Sequence, residues 1–241
     1  MKKTSVLLAL LTVFAVSGCK QEKETPKVIY EDEAQKKKPK KDKVESDFAI
    51  ADLPLQIQGT KYLIHPVGNY RVYEGNSKMS YGSSNADKGS FVVSNYNRFE
   101  LTGFLQNIKF QHIDSSSVKP LTSNPVLIET MTFLNTIADK SKLQLLVYTL
   151  ADQDTNKDGE VNSNDIKTLY ISKIDGSSLM KLSADFQEVI DWNLIESKNR
   201  LYFRTIEDTN KNGQFDKDDF IHYNFVDLLN KEWTVMNYDP I

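Results

Sequence analysis

The chain has 241 residues, 39% hydrophobic and 10% aromatic, with 30 basic against 33 acidic side chains and a formal net charge of −3. That length allows one large domain or two small ones; the aromatic content excludes a wholly disordered chain, and without a basic excess no nucleic-acid partner is expected. Cys19 is the single cysteine, which rules out an intrachain disulfide and a cysteine-built zinc site.

Residues 1–18 read as a processing signal. Lys2 and Lys3 supply its positive start, and residues 6–16 form an apolar run of 11, too short to cross a bilayer as a mature helix. Val16-Ser17-Gly18-Cys19 follows, small residues before a cysteine. This resembles the lipobox of bacterial lipoproteins; an ordinary secretory signal with a chance cysteine is the alternative. The resemblance implies removal of the signal before Cys19, a thioether-linked diacylglycerol on its sulfur and a membrane anchor in the bacterial envelope. Two or three acyl chains anchor stably where one holds only marginally. Lys20 stands where an Asp marks inner-membrane retention in enterobacteria, so the resemblance points to the outer membrane, with the periplasmic and surface faces both open. The charged run 20–24 is reminiscent of surface-export signals in some Gram-negative lipoproteins.

Residues 19–50 are expected to be the anchor and a charged tether. From Gln21 to about Asp47 apolar side chains are almost absent, and Lys36, Lys37, Lys38, Lys40, Lys41 and Lys43 crowd together. Such a stretch buries too little area to offset its ordering entropy. A basic lipid- or nucleic-acid-binding patch is the other reading, but the neighbouring Glu31, Asp32, Glu33, Glu45 and Asp47 favour a solvated spacer. A flexible leash of about 27 residues spans ~30 Å.

Residues 51–241 are expected to be a β-rich repeat domain. Short runs of Tyr, Phe, Val, Ile and Thr alternate with Gly, Asn, Asp and Ser. Residues 61–72 form a run broken by His65-Pro66, 74–90 a turn-rich loop, and 91–93 and 99–104 further strands. Residues 108–118 then match 169–179 in pattern, and 221–226 repeats them more loosely. The first full unit reads as strands at 126–134, 143–151, 166–174 and 179–183, with a tight turn at Asp175-Gly176. The second reads as strands at 189–195, 201–206, 220–226 and 233–236. Four antiparallel strands per unit is a blade pattern. The run 169–183, a strand leading through Asp-Gly to a leucine–serine close, resembles the blade repeat of TolB-type propellers over about 130 residues from Ile108. The resemblance implies an all-β fold of antiparallel blade-like four-stranded units, partial or small and propeller-like. About three units can be counted, which leaves open an open stack, a sandwich or an unseen degenerate blade.

Residues 154–165 (DTNKDGEVNSND) and 208–219 (DTNKNGQFDKDD) separate the two middle strands of each unit. A hard dication needs six or seven oxygens, which an EF-hand-type loop draws from positions 1, 3, 5, 7, 9 and 12 around a Gly at 6. In the first loop these positions hold Asp154, Asn156, Asp158, Glu160 (through its carbonyl), Asn162 and Asp165, with Gly159 at 6. In the second they hold Asp208, Asn210, Asn212, Gln214, Asp216 and Asp219, with Gly213 at 6. Calcium is therefore the expected cofactor. Both loops end on Asp rather than Glu, as dockerin loops do, and the Leu/Val/Ile/Tyr flanks favour strands over a helix starting at Ile166. A metal-free, turn-forming acidic loop is the alternative. An exported protein meets millimolar calcium, enough to fill a site of roughly 10⁻⁴–10⁻³ M, and the role would be structural.

No Gly-x-Ser-x-Gly, glycine-rich phosphate loop or His-Glu-x-x-His is present. His65, His112 and His222 are expected on strands, half-buried or at the surface, and Trp192 and Trp233 in packing between units. The expected function is a membrane-anchored binding or scaffold module meeting an envelope protein or glycan, not an enzyme. The alternatives are a hydrolase-like enzyme using residues such as those of the 74–90 loop, and a dockerin-like docking module.

Overall fold

Fourteen short strands, rich in β-branched and aromatic residues, pair antiparallel throughout into three sheets in the computed structural model, which describes residues 26–30, 47–71 and 99–241. The signal, Cys19, the 74–90 loop, the 91–93 run and most of the tether lie outside the described residues.

The first sheet contains β1 (Asp47–Ala51), β2 (Leu55–Gln56), β3 (Tyr62–Arg71), β5 (Asn107–His112) and β6 (Val118–Pro120), in the order β1-β3-β5-β6 with β2 on β3. The second holds β4 (Glu100–Leu105), β7 (Leu127–Phe133), β8 (Leu145–Ala151), β9 (Thr168–Lys173) and β10 (Met180–Lys181), ordered β10-β9-β8-β7-β4. The third is the meander β11 (Gln187–Ile195), β12 (Arg200–Glu207), β13 (Phe220–Asp227) and β14 (Val235–Asn237). The fold is all-β in antiparallel four- and five-stranded sheets, one of them curled into a half-barrel.

Two of the expected four-strand units appear whole, as β7–β10 and β11–β14. In the first sheet the unit is interrupted. β4 leaves its sequence neighbours β3 and β5 and pairs with β7, Leu101 opposite Met131. A short helix, α1 (Asn135–Ser141), also joins β7 to β8 where only a connection was expected. Ile137 is fully buried on it, and the chain turns out of it through Lys142 at φ 64°.

Side-chain alternation explains the layering. All seven residues of β8 are buried. Leu146, Tyr148 and Leu150 pack with Ile64, Ile108 and Phe110 of the first sheet. Leu145 and Val147 pack with Val189, Leu201, Phe203 and Val226 of the third. Residues alternate across a strand, so the second sheet is a middle layer with a core on each face. Trp192 and Trp233 lie half-buried against the second core. On β12, Leu201, Phe203 and Thr205 face inward while Arg200, Tyr202 and Arg204 face out.

The repeat has a physical basis in the turns. In the middle sheet, Asp175 Oδ1 accepts from the Ser177 amide at 3.0 Å and hydroxyl at 2.6 Å, and Gly176 takes φ +76°. That glycine lies under the ring of Phe110 from the first sheet.

The N-terminal boundary differs from expectation. β1 begins at Asp47, inside the stretch expected to be tether, and pairs with β3 from Asp47↔Arg71 to Ala51↔Val67. Its Phe48-Ala49-Ile50-Ala51 run is apolar enough to join a sheet edge, so the body starts about four residues earlier than composition suggests.

Candidate cation loops and the segment that bridges them

The 154–165 loop joins β8 to β9 and the 208–219 loop joins β12 to β13. They occupy the same hairpin of two stacked sheets, which brings them to one end of the molecule.

Their internal geometry repeats position for position. Position 4 is left-handed in both, Lys157 at φ 56° and Lys211 at φ 57°, and so is position 6, Gly159 at φ 97° and Gly213 at φ 79°. Position 1 accepts from the amides of positions 5 and 6: Asp154 at 3.0 and 2.8 Å, Asp208 at 3.1 and 2.7 Å. Asn156 and Asn210 each accept from the amide of position 5 at 2.9 Å. Position 5 accepts from the amide of position 7, Asp158 from Glu160 and Asn212 from Gln214. Position 12 takes the amides of positions 2 and 9: Asp165 those of Thr155 and Asn162, Asp219 those of Thr209 and Asp216.

Positions 5 and 9 also exchange roles. In the first loop Asn162 Nδ2 donates to Asp158 Oδ2 at 3.1 Å; in the second Asn212 Nδ2 reaches Asp216 Oδ2 at 3.5 Å. Each loop thus has one carboxylate and one amide across this pair. The second loop loses an acid at Asn212 and regains it at Asp216, leaving three carboxylates in each among the positions whose side chains would ligate, 1, 3, 5, 9 and 12.

The structure therefore brings each set of six positions together in one turn system. The oxygens are engaged with the loops' own amides, and among the described residues no group of three or more His, Cys, Asp or Glu is placed to hold a metal ion. The donor set is all oxygen, the chemistry a hard cation takes. Each carboxylate has about four lone-pair sites, and Asp154 uses two on amides. Burial pushes the Asp165 carboxyl above its usual range, opposed by the amides of Asn162, Asn156 and Thr155 and reinforced by the nearby Asp154 charge. Asp165 and Asp208 are only 2% and 4% exposed, which marks the loops as half-sunken rather than solvated tips.

Residues 26–30 lie across both loops, although they belong to the expected tether. The Lys27 and Val28 amides donate to the Gly213 carbonyl at 2.7 and 3.3 Å, and the Ile29 amide to the Thr155 carbonyl at 2.9 Å. The Thr155 hydroxyl donates to the Lys27 carbonyl at 2.8 Å and accepts from the Ile166 amide at 3.0 Å. Val28 is 2% exposed. Lys27 Nζ meets Glu188 Oε1 at 2.7 Å, and Glu188 Oε2 is held by the Lys167 amide at 3.0 Å. The Tyr30 hydroxyl donates to Asp208 Oδ2 at 3.0 Å. Burial, the hydrogen bond to Asp208 and the surrounding acidic charge push the Tyr30 phenol up to about 12, so it stays a donor well above neutral pH. A structureless leash is thus not what these five residues form. The sequence signal was present: Val28-Ile29-Tyr30 is the one run of three consecutive apolar or aromatic residues between Gln21 and Asp47.

Two other clusters stand apart from the loops. Asp152 Oδ2 accepts from the Tyr170 hydroxyl at 2.7 Å and from Lys181 Nζ at 2.8 Å, and Lys181 also pairs with Asp185. On the outer face of the third sheet Tyr202 stacks on Phe225 at 5.4 Å, Tyr238 meets Tyr202 edge-on at 5.3 Å, and the Arg200 guanidinium lies 4.5 Å over Phe225. His65, His112 and His222 sit half-buried on β3, β5 and β13 and bond separately to Gln111, the Asp114 amide and Glu207.

No family model, curated protein or solved structure matches this chain.

Proposed function

We propose that this chain is a lipid-anchored envelope protein whose β body acts as a binding or scaffold module, stapled by a structural calcium ion in each acidic loop. The observation that carries the calcium reading is the duplication. Two loops with different flanking strands keep the same left-handed positions, the same amide network and a compensated carboxylate count. Turn formation alone does not require three carboxylates in each. Asp154, Asn156, Asp158, Asn162 and Asp165 would hold the first ion with the Glu160 carbonyl; Asp208, Asn210, Asn212, Asp216 and Asp219 would hold the second with that of Gln214.

The anchor rests on the lipobox resemblance at Cys19. The binding role is supported by the aromatic face of Tyr202, Phe225 and Tyr238, where flat rings and the Arg200 guanidinium suit a glycan or a protein partner.

Calorimetric titration of the mature chain with calcium tests the metal reading. The expected result is two ions per chain, falling to one when Asp154→Ala and Asp158→Ala are combined. Absence of binding at millimolar calcium would contradict it.

A further inference from the structure

Residues 26–30 do more than touch the loops, because their contacts have the parts of a recognition site. Backbone groups are read by Gly213 and Thr155 carbonyls and by the Thr155 hydroxyl, the mode by which extended peptides bind. Side chains are read one at a time. Glu188, 14% exposed and already fixed by the Lys167 amide, takes the lysine. Val28 is sealed from solvent, and Asp208 takes the tyrosine hydroxyl. The tyrosine ring centroid lies 6.4 Å from that of Phe186 and 5.8 Å from the Lys211 ammonium. Phe186 holds a left-handed φ of 60°, a strained conformation for a bulky residue. The floor is cut for a backbone: a Cβ at Gly213 would stand 2.5 Å from the Val28 carbonyl oxygen and 2.7 Å from Pro26 Cβ.

We infer that the cleft between the two acidic loops is a binding seat for an extended peptide of the form Pro-Lys-Val-Ile-Tyr, and that residues 26–30 are its resident occupant. The seat joins the second and third sheets from outside their cores and fixes where the N-terminal segment leaves the body. Because the occupant belongs to the same chain, its effective concentration is in the millimolar range, so a free peptide competes poorly with it.

The test uses the full mature chain and its Val28→Asp variant, which puts a charge in the buried position and alters no residue of the seat. A labelled synthetic peptide of residues 24–32 is titrated against both, followed by fluorescence anisotropy. Saturable binding to the variant is expected, with at least tenfold weaker apparent binding to the unaltered chain. Adding Glu188→Gln should weaken the variant's binding about tenfold through the lost charged hydrogen bond. Equal binding to both chains, or none to a variant whose circular dichroism matches the parent, would overturn the inference. Hydrogen exchange on the unaltered chain decides independently of any variant. The Lys27 and Ile29 amides should exchange far more slowly than in the free peptide, and exchange at the free-peptide rate would refute the seat.

Discussion

Asp191 and Arg204 face each other across β11 and β12, with Arg204 Nε on Asp191 Oδ1 at 2.8 Å and Nη2 on Oδ2. The bidentate hydrogen bond to Arg204 holds the Asp191 carboxyl below its ordinary range, against a smaller opposing effect of burial. A depressed folded-state value means the pair stabilises the fold above the ordinary carboxylate range and loses that contribution as pH falls through the folded value. Both side chains are about half exposed, so water screens the pair and its worth stays within about 1 kcal/mol. Asp191→Asn should cost that much in urea unfolding at pH 7, and the deficit should shrink as pH falls below the ordinary carboxylate range. An undiminished deficit in acid would mean that packing, not charge, is responsible. At this scale the sequence is partly readable. The alternation Arg200, Leu201, Tyr202, Phe203, Arg204 announces which side faces the core, but nothing local says that Asp191 will stand opposite Arg204.

The turns and strands carry the repeat, and here the sequence is most readable. Asp175-Gly176 is a turn signal by its chemistry, and the 154–165 and 208–219 loops announce themselves through glycine and alternating oxygens. Two elements hide. The α1 helix is barely two turns, too short for a helical period to emerge from the strands around it. β4 pairs with β7 rather than with its neighbours, a choice made by long-range packing of Leu101 and Leu105 in the first core. Residues 26–30 hide for a related reason: a composition window over the tether averages three apolar residues into twenty charged and polar ones. The Gly176 turn also offers a test of how the sheets interlock. A Cβ there would stand 2.6 Å from the Phe110 ring, at a φ that side chains rarely adopt. Gly176→Ala should destabilise the chain by ~1–3 kcal/mol. Adding Phe110→Leu should recover part of that loss in a double-mutant cycle, whereas strict additivity would show that the ring contact does not matter.

Among the described residues, three sheets stack with the second in the middle, and both acidic loops emerge at one pole. Full burial of β8 is the feature least legible beforehand: the run 143–151 reads as a strand, but nothing local says that a sheet will pack on each of its faces. Stacking also explains why the loops come in a pair: equivalent hairpins of successive layers fall side by side. From Cys19 to Pro26 the chain can extend only about 25 Å, so with residues 26–30 seated, a lipid on Cys19 would hold the loop pole toward the membrane. No helix among the described residues is long and apolar enough to cross one. A cation bound at each loop would stabilise the folded chain by mass action, by about 1.4 kcal/mol for each site held at ten times its dissociation constant. For a body of this size each kcal/mol moves the melting temperature by roughly 2–4 °C. The direct measurement is scanning calorimetry of residues 19–241 in millimolar calcium and again with excess chelator. The chelated protein should melt at least 5 °C lower, with Asp154→Ala/Asp158→Ala reproducing part of the fall in calcium; identical melting temperatures in the two buffers would contradict a structural role for calcium.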